Sequence, residues 1–208
     1  AFEGCSSLTS VTFPTGLTSI GSSAFKGCSG LTSVTLPDSL TSIGFSAFEG
    51  CSSLTSVMFP AGLTSIDSST FKGCSGMTSV TFPTGLNGIG SSAFEGCSGL
   101  ISVALPDGLT SIGGYAFSGC SGLTDISFPE ALQSIGSGAF YLCSFSKVTI
   151  PASVTYIGDY GLYCGTNGGT DIYFSGNAPA VTAADSGKPS FSTDSTLYFD
   201  LEKTGWVD

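Results

Sequence analysis

The stretch AFKGCSGLTSVTLPDSLTSIGFS, residues 24–46, has a near copy of itself on either side. Seven such units follow one another, at 1–23, 24–46, 47–69, 70–92, 93–115, 116–138 and 139–160. Six have 23 residues and the seventh has 22, one residue being lost around CSFSK. A unit this short cannot bury an apolar face alone, so it must stack on its neighbours. A strict period in the range of about 20–29 residues therefore predicts a solenoid.

Several positions of the unit stay apolar in every copy. Position 2 is Phe2, Phe25, Phe48, Phe71, Phe94, Phe117 and Phe140. Position 20 is Ile20, Ile43, Ile66, Ile89, Ile112, Ile135 and Ile157. Positions 8, 11, 13 and 17 are also apolar throughout, and stacking in register joins them into one core. Within LTSVTFP the side chains alternate, which predicts a short strand with Val11 and Phe13 inward and Ser10 and Thr12 outward. Proline closes that strand in every unit, because it cannot donate to a ladder. LTSIG predicts a second short extended piece. Its glycine, present in six of seven units, is expected to supply a positive-φ turn. SSAFKGC predicts a tight corner or a single helical turn. No apolar pattern of helical period is long enough for a full helix. The expected fold is a β-rich solenoid of two extended faces and a compact corner.

The pattern LxxVTxPxxLTSIGxxAFxGCSx resembles the BspA-like, or Treponema pallidum type, leucine-rich repeat over residues 1–160. The asparagine ladder of the commonest leucine-rich repeats is absent. The resemblance implies a right-handed leucine-rich-repeat superhelix, and proteins of bacterial surfaces used in adhesion or protein binding. It implies an extracellular or cell-surface location.

Past Tyr160 the period decays. Residues 161–208 read as a degenerate eighth coil and a C-terminal cap, with Val181, Phe191, Leu197, Phe199, Leu201 and Trp206 as its apolar residues. The first coil, by contrast, has nothing polar laid over its core, which predicts a possible end-to-end contact there.

Five Lys+Arg against 15 Asp+Glu give a net charge of −10, with no His. Such a chain cannot neutralise phosphates, so nucleic acid is not an expected partner. Mean hydropathy is positive (+0.37), but the apolar residues are dispersed and no run approaches the roughly 18 of a membrane helix. Membrane insertion is therefore not expected. Without His or Arg, Ser-His-Asp catalysis and most phosphate clamps are excluded. No cofactor, metal or catalytic residue is expected.

Cys5, Cys28, Cys51, Cys74, Cys97, Cys120 and Cys143 recur at position 5. Equivalent side chains on parallel coils point the same way, which opposes disulfides. Metal binding would need converging ligands such as CxxC, and there are none. The expectation is a ladder of free, buried thiols acting as small hydrophobes. Glu3, Lys26, Glu49, Lys72 and Glu95 alternate in sign at position 3, as a row of cross-coil pairs would.

What is left for function is surface. The candidate binding face is Ser10, Thr12, Ser33, Thr35, Ser56, Met58, Ser79, Thr81, Ser102, Asp125, Ser127, Lys147, Thr149 and Tyr156. Met58, Ala104, Asp125, Lys147 and Tyr156 break otherwise uniform rows. Three uses compete: an interaction scaffold for a protein or glycan, an ice or ordered-surface binder using the Ser/Thr rows, and a structural stalk.

Overall fold

The computed structural model describes residues 2–164, 169–181 and 189–199. The described chain winds as a parallel β-solenoid with two strand-bearing faces and one turn-built corner, and none of its described residues is helical. The first face carries β1 (Ser10–Thr12), β3 (Ser33–Thr35), β5 (Ser56–Met58), β7 (Ser79–Thr81), β11 (Lys147–Ile150), β13 (Asp171–Phe174) and β15 (Thr196–Tyr198). The second carries the two-residue strands β2 (Ser19–Ile20), β4 (Ser42–Ile43), β6 (Ser65–Ile66), β8 (Gly88–Ile89), β9 (Ser111–Ile112), β10 (Ser134–Ile135), β12 (Tyr156–Ile157) and β14 (Ala180–Val181). Every pairing is parallel and sets each residue against its repeat equivalent, as Val11 against Val34 and Ile89 against Ile112.

Between β7 and β11 the first face thins. There Ala104 and Ser127 contribute single bridges, Thr81 to Ala104 and Ala104 to Ser127. Beyond Tyr160 the two faces continue through β13, β14 and β15. Leu201 and Trp206, expected in the cap, lie outside the described residues.

The core is built on an aromatic stack. Phe2, Phe25, Phe48, Phe71, Phe94, Phe117 and Phe140 lie face to face, with centroids 5.2–5.5 Å apart and planes within 9° of parallel. Position-13 phenylalanines meet this stack edge-on: Phe59 lies 5.6 Å from Phe71 at 71°. Such edge contacts add about 0.5–1.5 kcal/mol each beyond area burial. Phe2, in the first coil of this sequence, is half-exposed.

Two local expectations need correction. The position-21 glycines do not turn the chain through positive φ. That conformation falls two residues later, on Ser23, Ser46, Ser69, Ser92, Tyr115 and Tyr160 (φ 55–58°), and at position 4, where Gly27 and its equivalents hold φ of 72–75°. Position 21 is glycine because the preceding coil presses on it. A Cβ on Gly113 would sit 2.6 Å from the Ser91 nitrogen. The second correction is Cys5, whose side chain is exposed and stands outside the buried ladder, whereas Cys28 and its equivalents are covered by a neighbouring coil.

Candidate functional site

Two parallel ranks of side chains project from the first face. Strand register places Ser10 beside Ser33, Ser56 beside Ser79, and Lys147 beside Asp171 and then Thr196. The second rank runs Thr12 to Thr35, Met58 to Thr81, on through Ala104 and Ser127, then Thr149 to Tyr173 and Tyr198. Ser10, Thr12, Ser33, Thr35, Ser56, Ser79, Thr81, Ser102, Asp125, Ser127, Lys147 and Thr149 are all exposed, and Met58 is 72% exposed. Tyr156 does not belong with them. It lies on β12 of the second face, half-buried between Ser134 and Ala180.

The ranks are not uniform along the solenoid. The first four coils present hydroxyls and one methionine. From the sixth coil the face carries Asp125, Lys147, Asp171, Tyr173 and Tyr198. The Lys147 ammonium lies 4.4 Å from the centre of the Tyr173 ring. Tyr173 stacks on Tyr198 at 4.3 Å, planes 4° apart. The negative charge of Asp171 raises the Tyr198 hydroxyl above its ordinary range, with partial desolvation and Tyr173 adding to it. Asp171, Tyr173 and Tyr198 escaped the sequence reading because insertions move them off the 23-residue register: Asp171 stands 24 residues after Lys147 and 25 before Thr196. The usable signal was the alternation in DIYF and TLYF, which repeats the in-out pattern of the earlier strands.

Shallow depressions follow the proline side of this face. One of about 420 Å³ lies over Val103, Ala104, Leu105 and Asp107, and one of about 340 Å³ over Asp125, Lys147, Val148 and Thr149. Ser127, Phe128 and Glu130 line both, so the two run together.

The thiols are packed away from this surface and hold a specific role. Cys51, Cys74, Cys97, Cys120 and Cys143 each donate S–H to the phenylalanine carbonyl of the preceding coil at 3.2 Å, as Cys97 does to Phe71. Cys28 does the same to Phe2 at 3.0 Å, and Cys164 to Phe140 at 3.5 Å. Burial pushes Cys51, Cys120 and Cys164 up to about 12, and the remaining ladder thiols also rise. Such thiols are inert as nucleophiles. At the corner, Lys26 pairs with Glu49 at 3.1 Å and Lys72 with Glu95 at 2.9 Å, as the alternating signs predict. Among the described residues no cluster of three His, Cys, Asp or Glu is placed to hold a metal ion, and no helix is long and apolar enough to cross a membrane.

The family profile described as BspA type leucine rich repeat region, in six copies, matches residues 1–103 and 87–182. The chain belongs to the BspA-type leucine-rich repeat family. This BspA-type solenoid is similar in fold to a leucine-rich repeat protein from Bacteroides ovatus, at 23% identity and a TM-score of 0.65, covering 92% of this chain and 60% of that one. It is similar to the T. pallidum leucine-rich repeat protein TpLRR at 28% identity and a TM-score of 0.52, covering 80% of this chain and 72% of that one. A leucine-rich cell surface protein from Faecalibacterium prausnitzii shares 25% identity with a TM-score of 0.54, covering 94% of this chain and 65% of that one. The chain thus spans less than two thirds of two of these three relatives. No curated protein sequence matches the chain.

Proposed function

We propose that this BspA-type chain is a non-enzymatic scaffold, displayed at a cell surface, that binds a protein partner through its first strand-bearing face and so serves adhesion. The observation that carries this is the change along that face, from uniform hydroxyl ranks to Asp125, Lys147, Asp171 and the Tyr173–Tyr198 stack. Aromatic and charged side chains on a rigid sheet supply the anchors by which interfaces gain most of their energy. The F. prausnitzii relative, a cell surface protein, supports the location.

The test is adsorption of the chain to a panel of immobilised host and matrix proteins. The proposal expects saturable binding to at least one. It expects Tyr173→Ala with Tyr198→Ala to weaken that binding by about tenfold or more, a hot-spot loss. No saturable binding, or binding indifferent to these substitutions, overturns it. Thermal hysteresis in ice would instead favour an ordered-surface binder. Met58, Asp125, Lys147 and the two tyrosines interrupt the lattice that use requires.

A further inference from the structure

The repeat is broken a second time, on the corner. At position 23 the earlier corners carry Ser23, Ser46, Ser69 and Ser92, and at position 3 the charged residues Lys26, Glu49, Lys72 and Glu95. Over the corners 114–119, 137–142 and 159–164, Tyr115 and Tyr160 replace the serine, Tyr141 and Tyr163 replace the charge, and Leu142 replaces the position-4 glycine. Tyr115 is 48% and Leu142 38% exposed, and the other three tyrosines are half-buried. Tyr141, Tyr160 and Tyr163 touch one another, with ring centroids 5.3–5.8 Å apart and planes inclined by 38–84°. The Tyr115 ring lies against Gly138, where an added Cβ would sit 2.5 Å from it, so the missing side chain makes room for the ring. Backbone N–H groups tie corner to corner, Tyr115 to the Ser137 carbonyl at 2.8 Å and Leu142 to the Tyr163 carbonyl at 3.2 Å. Three corners span about 10 Å at the usual spacing of parallel strands. Presenting these side chains strains the backbone. Tyr115, Tyr160 and Leu142 hold φ of 56–61°, a conformation that bulky residues rarely adopt. Strain of this kind clusters at functional sites.

We infer that this tyrosine corner is a second binding site, separate from the first face, and that it takes a neutral oligosaccharide. Tyrosine supplies both contacts that a sugar ring offers to meet. The negative π face attracts the weakly positive C–H face of the sugar, and the phenol donates and accepts hydrogen bonds with its hydroxyls. Rings held by packing on one another lose little freedom when a ligand covers them. The charge pattern selects a neutral sugar. Asp159 is the one charged residue in the three corners and the chain carries −10, so an anionic glycan meets repulsion. The earlier corners offer no such platform, because their position-3 side chains pair as Lys26 with Glu49 and Lys72 with Glu95.

The test is calorimetric titration of the 208-residue chain with cellohexaose, mannohexaose and N-acetylchitohexaose, and with polygalacturonate as the anionic counterpart. The expected result is binding of at least one neutral sugar with a dissociation constant of about 1 mM or tighter, and weaker binding of polygalacturonate. Tyr115→Ser with Tyr160→Ser restores the residue of the earlier coils and should weaken that binding by about tenfold or more. Tyr115→Phe with Tyr160→Phe keeps the rings, removes the hydroxyls and should give an intermediate loss, which guards against misfolding of the serine pair. Phe45→Ser, which removes an exposed ring from the corner at 45–50, and Tyr173→Ala with Tyr198→Ala on the first face should each change it by less than about twofold. No binding of any neutral sugar, equal or tighter binding of polygalacturonate, or a loss in the Phe45 or Tyr173/Tyr198 variants equal to that in the serine pair overturns the inference. Loss of matrix-protein binding in the serine pair, with no sugar bound by the wild type, overturns it in favour of a protein at this corner.

Discussion

At the residue scale the recurring cysteine is a packing and hydrogen-bonding device. Its spacing could be read as a ladder, but its use could not: one sequence does not show that the S–H of Cys97, like those of Cys28, Cys51, Cys74, Cys120 and Cys143, reaches back 26 residues to a phenylalanine carbonyl. Cys97→Ala therefore removes a buried sulfur and a weak donor together. The expected cost is about 1–2 kcal/mol, read from the urea midpoint. The thiols also set an alkaline limit. Burial raises them in the folded chain from an ordinary 9.0 to about 12 for Cys51, Cys120 and Cys164. The unfolded chain thus loses these protons first, so stability is complete below about pH 9 and falls as pH rises toward 12. Each thiol contributes a slope of about 1.4 kcal/mol per pH unit in that window. Urea melts at pH 8 and pH 10 should differ by several kcal/mol, and Cys→Ala replacement at Cys51 and Cys120 should flatten the difference.

At the element scale the strands are too short to stand alone, and the coil-to-coil fit decides stability. Position 21 shows how closely the coils approach. Gly113→Ala drives a Cβ into the backbone of the preceding coil and is expected to cost about 1–3 kcal/mol, as overpacking does. Gly21→Ala meets nothing within 4 Å and should be neutral or slightly stabilising in the same thermal melt. Asp67 occupies this position in the third coil, where its carbonyl accepts the hydroxyl of Thr70, the residue that replaces alanine there. Two-residue periodicity made the inward Val34 and outward Thr35 legible. Backbone handedness was not: Ser46, Ser69 and Ser92 adopt positive φ with no glycine to announce it. The same limit hid Tyr173 and Tyr198. Position counting carries a reading only while the period holds, and the coils lengthen after Lys147.

At the scale of the whole molecule, stacked coils spread stability over nearest-neighbour contacts. The corner ion pairs are partly exposed to solvent, so Lys26→Ala and Glu49→Ala should shift the unfolding midpoint by less than about 1 kcal/mol each. Function falls on the face where the repeat is broken. The monotony of Ser33, Thr35, Ser79 and Thr81 is what makes Asp125, Lys147, Asp171, Tyr173 and Tyr198 stand out. The most direct measurement of that claim is binding to the matrix-protein panel by two variants run side by side, Tyr173→Ala/Tyr198→Ala on the face and Lys26→Ala/Glu49→Ala on the corner. The account expects a loss of about tenfold or more for the first and none for the second. Wild-type binding by the face variant, with loss in the corner variant, would contradict it.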